Sequence, residues 1–477
     1  MAVDSKLEVA VVGAGAAGTW CAWRVAVETD ARVTLYEKTP RVGTKILASG
    51  GSRCNLTTTL GPAGAGELFG VRGARFLKRA FGALAPADVR TRFGELGVAT
   101  EEAPLEKIFP SSGSAREVRD ALEAAARTAG VHVELTRALT GLTPVRTESA
   151  GPLAGEVEAA ASRGEVRASA GAGQVAGVRS RKEKKRKPRA PDRDPAGWRL
   201  ELEGGGSAAA DIVVLATGGQ SYASTGTTGD GYGWLAGLGL ELVEPKPALV
   251  PLLSPAGWIH DLKGIALQNA SVRLIGTGGK VLQERRRPLL FTHQGLSGPA
   301  AMDLSRIPAR EGGPFTLRVD LVPDCSRDTL REDLIALAGR PRAPRVLTLL
   351  SELLTERAGE VVPKRLVEAL LASLGIAPEA TMQAVDKAAR HRLVEALKGW
   401  DLPVDGDAGY PKAEVTSGGL ALKEVDPGSC RVRGFGGLYV IGELLDLDGP
   451  IGGLNFQSAF ATAELAAMAI GERTPKA

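Results

Sequence analysis

The chain has 477 residues, 44% of them apolar, and a net charge of only +4, so it is long enough for two or three domains and is neither a polyanion nor a polycation as a whole. Four scattered cysteines (Cys21, Cys54, Cys325, Cys430) show no C-x-x-C or metal-type Cys/His spacing, which excludes a disulfide scaffold and a metal module and predicts reduced thiols in a cytoplasmic protein. No basic, then apolar, then small-residue leader is visible, and the apolar runs stay below the ~18 residues that span a bilayer, so neither a signal peptide nor a membrane segment is expected.

The first element is an apolar strand, Val9–Val12, followed at once by Gly13-Ala14-Gly15-Ala16-Ala17-Gly18, which fits G-x-G-x-x-G. Gly13 allows the tight turn, Gly15 lets a pyrophosphate approach the backbone, and Gly18 lets the following helix lie close to the sheet. That helix begins near Ala16, so the N–H groups of Ala16 and Ala17 and the positive dipole end point at phosphate. A second strand, Arg32–Tyr36, ends in Glu37 and Lys38. Glu37 stands about 20 residues after the fingerprint, where a carboxylate accepts from a ribose diol lacking a 2′-phosphate, as in FAD or NAD.

Helical spacing then predicts helices over Ala74–Phe81, Asp88–Leu96 and Ala115–Ala129, with Phe109-Pro110-Ser111-Ser112 as a loop. Val131–Leu135 reads as the third strand of a parallel sheet. Residues 145–197 differ in kind: they hold few large apolar residues, and Arg179–Arg189 carries eight basic residues and one acid. Two readings stay open for that run, a solvated disordered loop or a basic arm for nucleic acid. Trp198–Leu202 and Asp211–Ala216 are predicted strands, the second running into Ala216-Thr217-Gly218-Gly219, small residues that permit backbone contact with a cofactor.

From Leu240 the pattern becomes short strands divided by Pro and Gly: Leu249–Leu252, Ala270–Ile275, Val281–Gln283 and Phe315–Leu321. These suggest an antiparallel sheet or small barrel, with Phe291–Pro299 as a glycine-rich loop inside it. Residues 327–398 read as a compact helical unit. The chain returns through Lys412–Gly419 and ends with a strand into Gly442-Glu443, then Gly452-Gly453-Leu454-Asn455 opening a last helix. The predicted division is 1–240 plus 412–477 as a split Rossmann-like α/β domain carrying the 145–197 insertion, 241–326 plus 399–411 as a β-barrel-like domain, and 327–398 as a helical domain.

A single fingerprint at one end and a late strand–Gly-Glu–helix unit at the other suit FAD, whose length needs a second holding segment. No second G-x-G-x-x-G follows a strand, so no dedicated nicotinamide domain is expected, and NAD(P)H is expected only as a transient electron donor. Without paired cysteines after the fingerprint, a disulfide reductase is disfavoured.

Beyond the fingerprint, several blocks occur in one order: Lys45 with Ser49-Gly50-Gly51-Ser52-Arg53-Cys54-Asn55; Ala216–Gly219 with Ser221-Tyr222 and Thr225–Tyr232; Phe291–Pro299; Val415–Gly419; and Gly442–Gly449 with Gly452–Gln457. In these the chain resembles the YhiN-like (BaiN/RdsA, formerly aminoacetone oxidase) flavoprotein family, over nearly its whole length except 145–197 and the helical unit. The resemblance implies bound FAD and reduction of carbon–carbon double bonds, in steroid-like enones or in a uridine of large-subunit ribosomal RNA. Three places depart from the family pattern: Ser52 where a third glycine is usual, Leu454 where an aromatic is usual, and Gly428–Val432.

Flavin supplies hydride, and the protein supplies position, electrostatics and a proton. Cys54 and His293 are the candidate proton donors, each with an ordinary alternative as a packing thiol and a loop histidine. Lys45 and Arg53 are candidates to neutralise pyrophosphate or flavin charge. Asp446 and Asn455 are candidate polar contacts, and Gly452 and Gly453 open a helix whose N-terminus favours anionic flavin. Three functions remain in play: an FAD-dependent dihydrouridine synthase acting on ribosomal RNA, a small-molecule ene-reductase or amine oxidase, and a non-catalytic RNA-associated flavoprotein.

Overall fold

The computed structural model describes residues 6–145, 195–311, 314–339 and 345–473. The basic run 179–189 lies outside the described residues. The insertion that holds it is flanked by two strands, Leu139–Val145 and Gly197–Leu202, which pair antiparallel.

Five strands form one fully parallel sheet, in the order Leu438–Val440, Ile212–Leu215, Glu8–Val12, Arg32–Tyr36, His132–Glu134. The order runs outward in both directions from Glu8–Val12, so a crevice opens beyond its carboxyl end, at Gly13. Val9–Val12 and Ile212–Leu215 are buried throughout, which is why both read as unbroken apolar runs. The helix Ala16–Glu28 packs along the last helix, Leu454–Arg473, so the two ends of the chain share one core. Trp20 meets Phe460 and Phe93 there at centroid distances of 5.0 and 5.7 Å. Trp20 Nε1 donates to Glu464 Oε2 at 2.8 Å, and Arg24 pairs with the same buried carboxylate at 3.1 Å.

A second apolar core lies within residues 252–404. It is enclosed by two antiparallel sheets. One contains Ala266–Leu267, Leu289–Phe291, Gly295–Ser297, Leu252–Leu253 and Gly406–Asp407; the other contains Val281–Arg286, Ser271–Ile275, Phe315–Asp320 and Trp400–Val404. Four α-helices, Arg327–Ala338, Val346–Ala358, Lys364–Ser373 and Lys387–Lys398, leave this sheet after Phe315–Asp320 and return to it at Trp400. The two cores are joined by an antiparallel ribbon, Leu242–Ala248 paired with Val415–Leu420.

Three local expectations are corrected. Phe109 and Pro110 belong to a strand, Lys107–Pro110, rather than a loop; Pro110 closes that strand, where a missing N–H is tolerated. The expected strand Leu249–Leu252 is instead Leu242–Ala248 and Leu252–Leu253, because Leu249 takes a left-handed φ of 49° that breaks extended pairing. Phe291–Pro299 is a hairpin running into an unanticipated helix, Gly298–Glu311, which the prolines at 299 and 308 obscured.

Removing one partner of the Arg24–Glu464 pair strands a buried charge. Glu464→Ala is expected to destabilise by about 3–5 kcal/mol, while Arg24→Met with Glu464→Leu recovers most of the loss; thermal and denaturant melts of the three variants check this.

Candidate active site

The crevice at Gly13 continues into a cavity of about 670 Å³, within the usual range for a small-molecule or cofactor site. At one end the wall is backbone. An ideal Cβ on Gly18 would stand 1.9 Å from Gly13 O, so only glycine lets the first helix sit this close to the turn. A Cβ on Gly15 would meet nothing within 4 Å, since Gly15 borders open cavity. No side chain caps this helix at Gly15, which leaves its first N–H groups directed into the cavity beside Ala16 and Ala17. Glu37 is fixed by two backbone donors, Ala14 N–H and Thr39 N–H, each at 2.8 Å. Its carboxylate keeps lone pairs free for a diol. Lys38 lines the same end and pairs with Asp230.

The middle of the cavity is lined by Lys45, Ser49, Gly50, Arg53, Asn55, Ala216, Thr217, Gly218, Gly442, Glu443, Gly452, Gly453 and Asn455. Lys45 Nζ and Glu443 Oε2 pair at 2.8 Å, and Glu443 Oε1 accepts from Thr416 N–H at 2.8 Å. The Asn55 amide accepts from Gly453 N–H at 2.7 Å, and the Asn455 amide closes the turn at Gly449 at 2.8 and 2.9 Å. Arg53 stacks over the Phe109 ring at 4.5 Å. Thr217 Oγ1 is buried without a partner among the described residues.

At the far end the wall passes to Lys107, Phe109, Tyr222, Leu249, Pro299, Met302, Glu414, Val415 and Ile451. This end adjoins a second cleft of about 550 Å³ lined by Arg53, Lys107, Phe109, Gln268, Asn269, Arg286 and Arg287, so three residues belong to both. Glu414 and Lys107 were not anticipated, since each sits at a strand end that only the tertiary fold turns inward. Burial pushes the Glu414 carboxyl up, against the opposing pull of Lys107. Burial and neighbouring Arg287 push the Lys107 ammonium down.

Gly18, Gly219, Cys54, Asp446 and His293 are not part of the cavity wall. Gly219 packs against Thr416. Cys54 is fully buried, with its thiol pushed up to about 12 by burial. Asp446 pairs with Arg310 at 3.0 Å. His293 is exposed on the hairpin turn, at the opposite end of Gly295–Ser297 from Pro299. Neither candidate proton donor from the sequence therefore faces the cavity. Ser52, in place of the family glycine, takes a left-handed φ of 66°.

These features fit FAD. The open Gly15 face and uncapped helix would receive the pyrophosphate, and Glu37 the ribose diol. When bound, FAD supplies hydride transfer. Of the chain's own residues in the wall, Lys45 and Arg53 would place positive charge beside it, and Leu249, Met302 and Ile451 would supply apolar surface.

Gly15→Val places a side chain in open cavity and is expected to fold but lose flavin, whereas Gly18→Ala drives a methyl into Gly13 O and is expected to misfold; flavin-to-protein absorbance ratios and circular dichroism separate the two. Ser52→Gly relieves left-handed strain of about 1 kcal/mol, partly offset by a more flexible unfolded chain, so a small gain in melting temperature with flavin retained is expected. The Cys54 thiol is expected to resist iodoacetamide at pH 8 until the protein is unfolded, as followed by mass spectrometry.

Residues 7–172 match the family model described as the HI0933-like protein Rossmann domain, and residues 246–415 match the HI0933-like protein barrel and H2TH domain. The chain is 28% identical over 458 residues to a ribosomal RNA dihydrouridine synthase of Escherichia coli (strain K12), covering 96% of each. It is 27% identical to the protein of that name from Haemophilus influenzae, over 97% of this chain and 98% of that one. It is 29% identical to a 3-dehydro-bile acid delta(4,6)-reductase of Clostridium scindens, over 98% of this chain and 99% of that one. With two models of one family covering well over half its length, the chain belongs to the HI0933-like family and is an FAD-dependent oxidoreductase.

Proposed function

We propose that the protein reduces a carbon–carbon double bond conjugated to a carbonyl, and that its substrate is a uridine of large-subunit ribosomal RNA, converted to dihydrouridine. The observation that carries this reading is the junction of the two cavities. A site suited to a planar ring opens through Arg53 and Lys107 onto a cleft with Arg286, Arg287, Gln268 and Asn269, a cationic and hydrogen-bonding surface suited to nucleotide phosphate. Two of the named relatives carry that activity in their names. The target base leaves its stack to reach the ring site.

On this reading FAD is held by the 1–240 and 412–477 segments and the substrate by 241–326 with 399–411. NAD(P)H delivers electrons transiently, and the basic run 179–189 adds non-specific affinity for RNA. A second reading is a small-molecule ene-reductase; the apolar wall of Leu249, Pro299, Met302 and Ile451 and the bile acid reductase among the relatives favour it.

The decisive experiment compares dihydrouridine in ribosomal RNA from cells with and without the protein, by mass spectrometry of digested RNA. A dihydrouridine that disappears with the gene, and returns with the wild type but not with Gly15→Val, is the expected result. Unchanged RNA overturns the ribosomal reading and turns the search to conjugated enones. Deleting 179–189 is expected to weaken RNA binding and its salt dependence while leaving reduction of a small enone unchanged.

A further inference from the structure

The ribbon that joins the two cores ends at the cavity. Its last pair is Ala248 with Val415, and one step beyond it Glu414 N–H donates to Leu249 O at 3.1 Å. The main chain at 414 is thereby fixed, and Leu249, Glu414 and Val415 all enter the cavity wall. Glu414 lines this cavity: protein atoms crowd its carboxyl closely enough to desolvate it, while its side chain keeps surface open on the cavity side. Among the described residues its carboxylate takes part in no hydrogen bond and no ion pair. It is thus an unengaged carboxyl at the substrate end of a site whose other acids, Glu37, Asp230 and Glu443, are tied to backbone donors or a lysine.

The charged groups facing it come from three elements: Lys107 from the strand Lys107–Pro110, Asp303 from the helix Gly298–Glu311, and Lys45 from Thr44–Ala48. Desolvation dominates and raises the carboxyl; Lys107 and Lys45 oppose this and Asp303 adds to it. Tyr222 stands in the same wall with a left-handed φ of 57°, its phenol pushed up by burial and then by Glu414. A strained aromatic held against a cavity is a common mark of a working site.

We propose that Glu414 is the proton donor of this site. The proposal rests on the reading of the protein as a flavin-dependent reductase of conjugated double bonds. In the step, hydride from reduced flavin forms a C–H bond at the carbon β to the carbonyl. The π pair of the double bond takes the Glu414 proton and forms a C–H bond at the α carbon. The alkene gains two electrons, the flavin loses two, and Glu414 is left as a carboxylate beside Lys107 until solvent reprotonates it. For uracil the β carbon is C6 and the α carbon C5. Because the acid form donates, turnover falls as pH rises through the raised carboxyl pKa.

The test uses FAD-loaded protein, its flavin reduced by dithionite under anaerobic conditions, and ribosomal RNA from cells lacking the protein as acceptor. Glu414→Gln is expected to keep full flavin content and normal flavin reduction, yet to slow flavin reoxidation by RNA about 100-fold or more, with Glu414→Asp intermediate. The alkaline fall in rate is expected to vanish in Glu414→Gln. Independently of turnover, infrared difference titration of the flavin-free protein is expected to show a carboxylic acid band that titrates above the ordinary range and is missing in Glu414→Gln. Wild-type reoxidation rates in Glu414→Gln, an equal loss in Tyr222→Phe with no infrared change at Glu414, or a Glu414 already ionised at acidic pH each overturns the proposal. If RNA fails to reoxidise even the wild type, the ribosomal reading falls, and the same variants compared on a conjugated enone still decide the role of Glu414.

Discussion

The geometry of the cavity depends on a buried clamp of charges between the helix Gly298–Glu311 and the segment 446–451. Arg306 Nε donates to Asp448 Oδ2 at 2.6 Å, and Arg310 reaches Asp446, Asp448 and Ser417. Asp303 Oδ1 accepts from Ile451 N–H at 2.7 Å, and Arg287 donates to Ile451 O at 2.7 Å. Asp448 is 3% exposed, so its charge persists only because two guanidiniums surround it, and they hold its carboxyl below the usual range against desolvation. Each partner comes from a different core. The clamp therefore fixes Ile451 and Gly452, from the nucleotide side, against Met302 and Pro299, from the barrel side, and those four residues form one wall of the site.

Other parts of the wall are held by contact too close for side chains. A Cβ on Gly13 would lie 2.6 Å from Ala216 O, and one on Gly453 would lie 2.0 Å from Thr57 O. At these points strand ends and turns meet backbone to backbone. The cavity surface there consists of N–H and C=O groups rather than flexible side chains. Such a surface cannot relax, which suits a cofactor that must be held in one orientation while its substrate changes.

What was legible in the sequence is what is encoded locally. Val9–Val12, the three glycines and Glu37 lie within one βαβ unit, so composition and spacing sufficed to read them. The parallel sheet followed, because strands buried on both faces are continuous apolar runs. Leu249 could not be read in this way, since its positive φ is imposed by the ribbon and the barrel strand on either side of it. Helix Gly298–Glu311 was hidden because its prolines stand where helix and loop are equally allowed by composition. Glu414 and Lys107 carry no local signal at all: an acid before Val415 and a lysine before Ile108 are ordinary surface residues until two cores bring them to one cavity. His293 is the opposite case, a residue with a local signal that lies outside the cavity wall. A rare residue among glycines looks functional, but the hairpin that contains it turns it to solvent.

The two candidate substrate classes share the same reacting unit, a double bond conjugated to a carbonyl, and so they make the same demand on the inner wall. They differ in what is attached to it: a phosphodiester chain in one case, a fused hydrocarbon in the other. The structure separates these demands in space. The inner wall comes from turns and strand ends that the clamp and the close backbone contacts hold rigid. The adjoining cleft is edged by Arg286, Arg287, Gln268 and Asn269 of the barrel and by Arg53 and Lys107 of the nucleotide unit. Arg286 is already hydrogen-bonded to Asn269 and paired with Asp324, and Arg287 with Glu106, so those charges are positioned before any ligand arrives, while Arg53 stands over a ring and in no ion pair among the described residues. On the proposed reading, substrate choice rests on that cleft and reaction type on the inner wall. Arg53, Lys107 and Phe109 belong to both surfaces, so the two demands meet at those three residues.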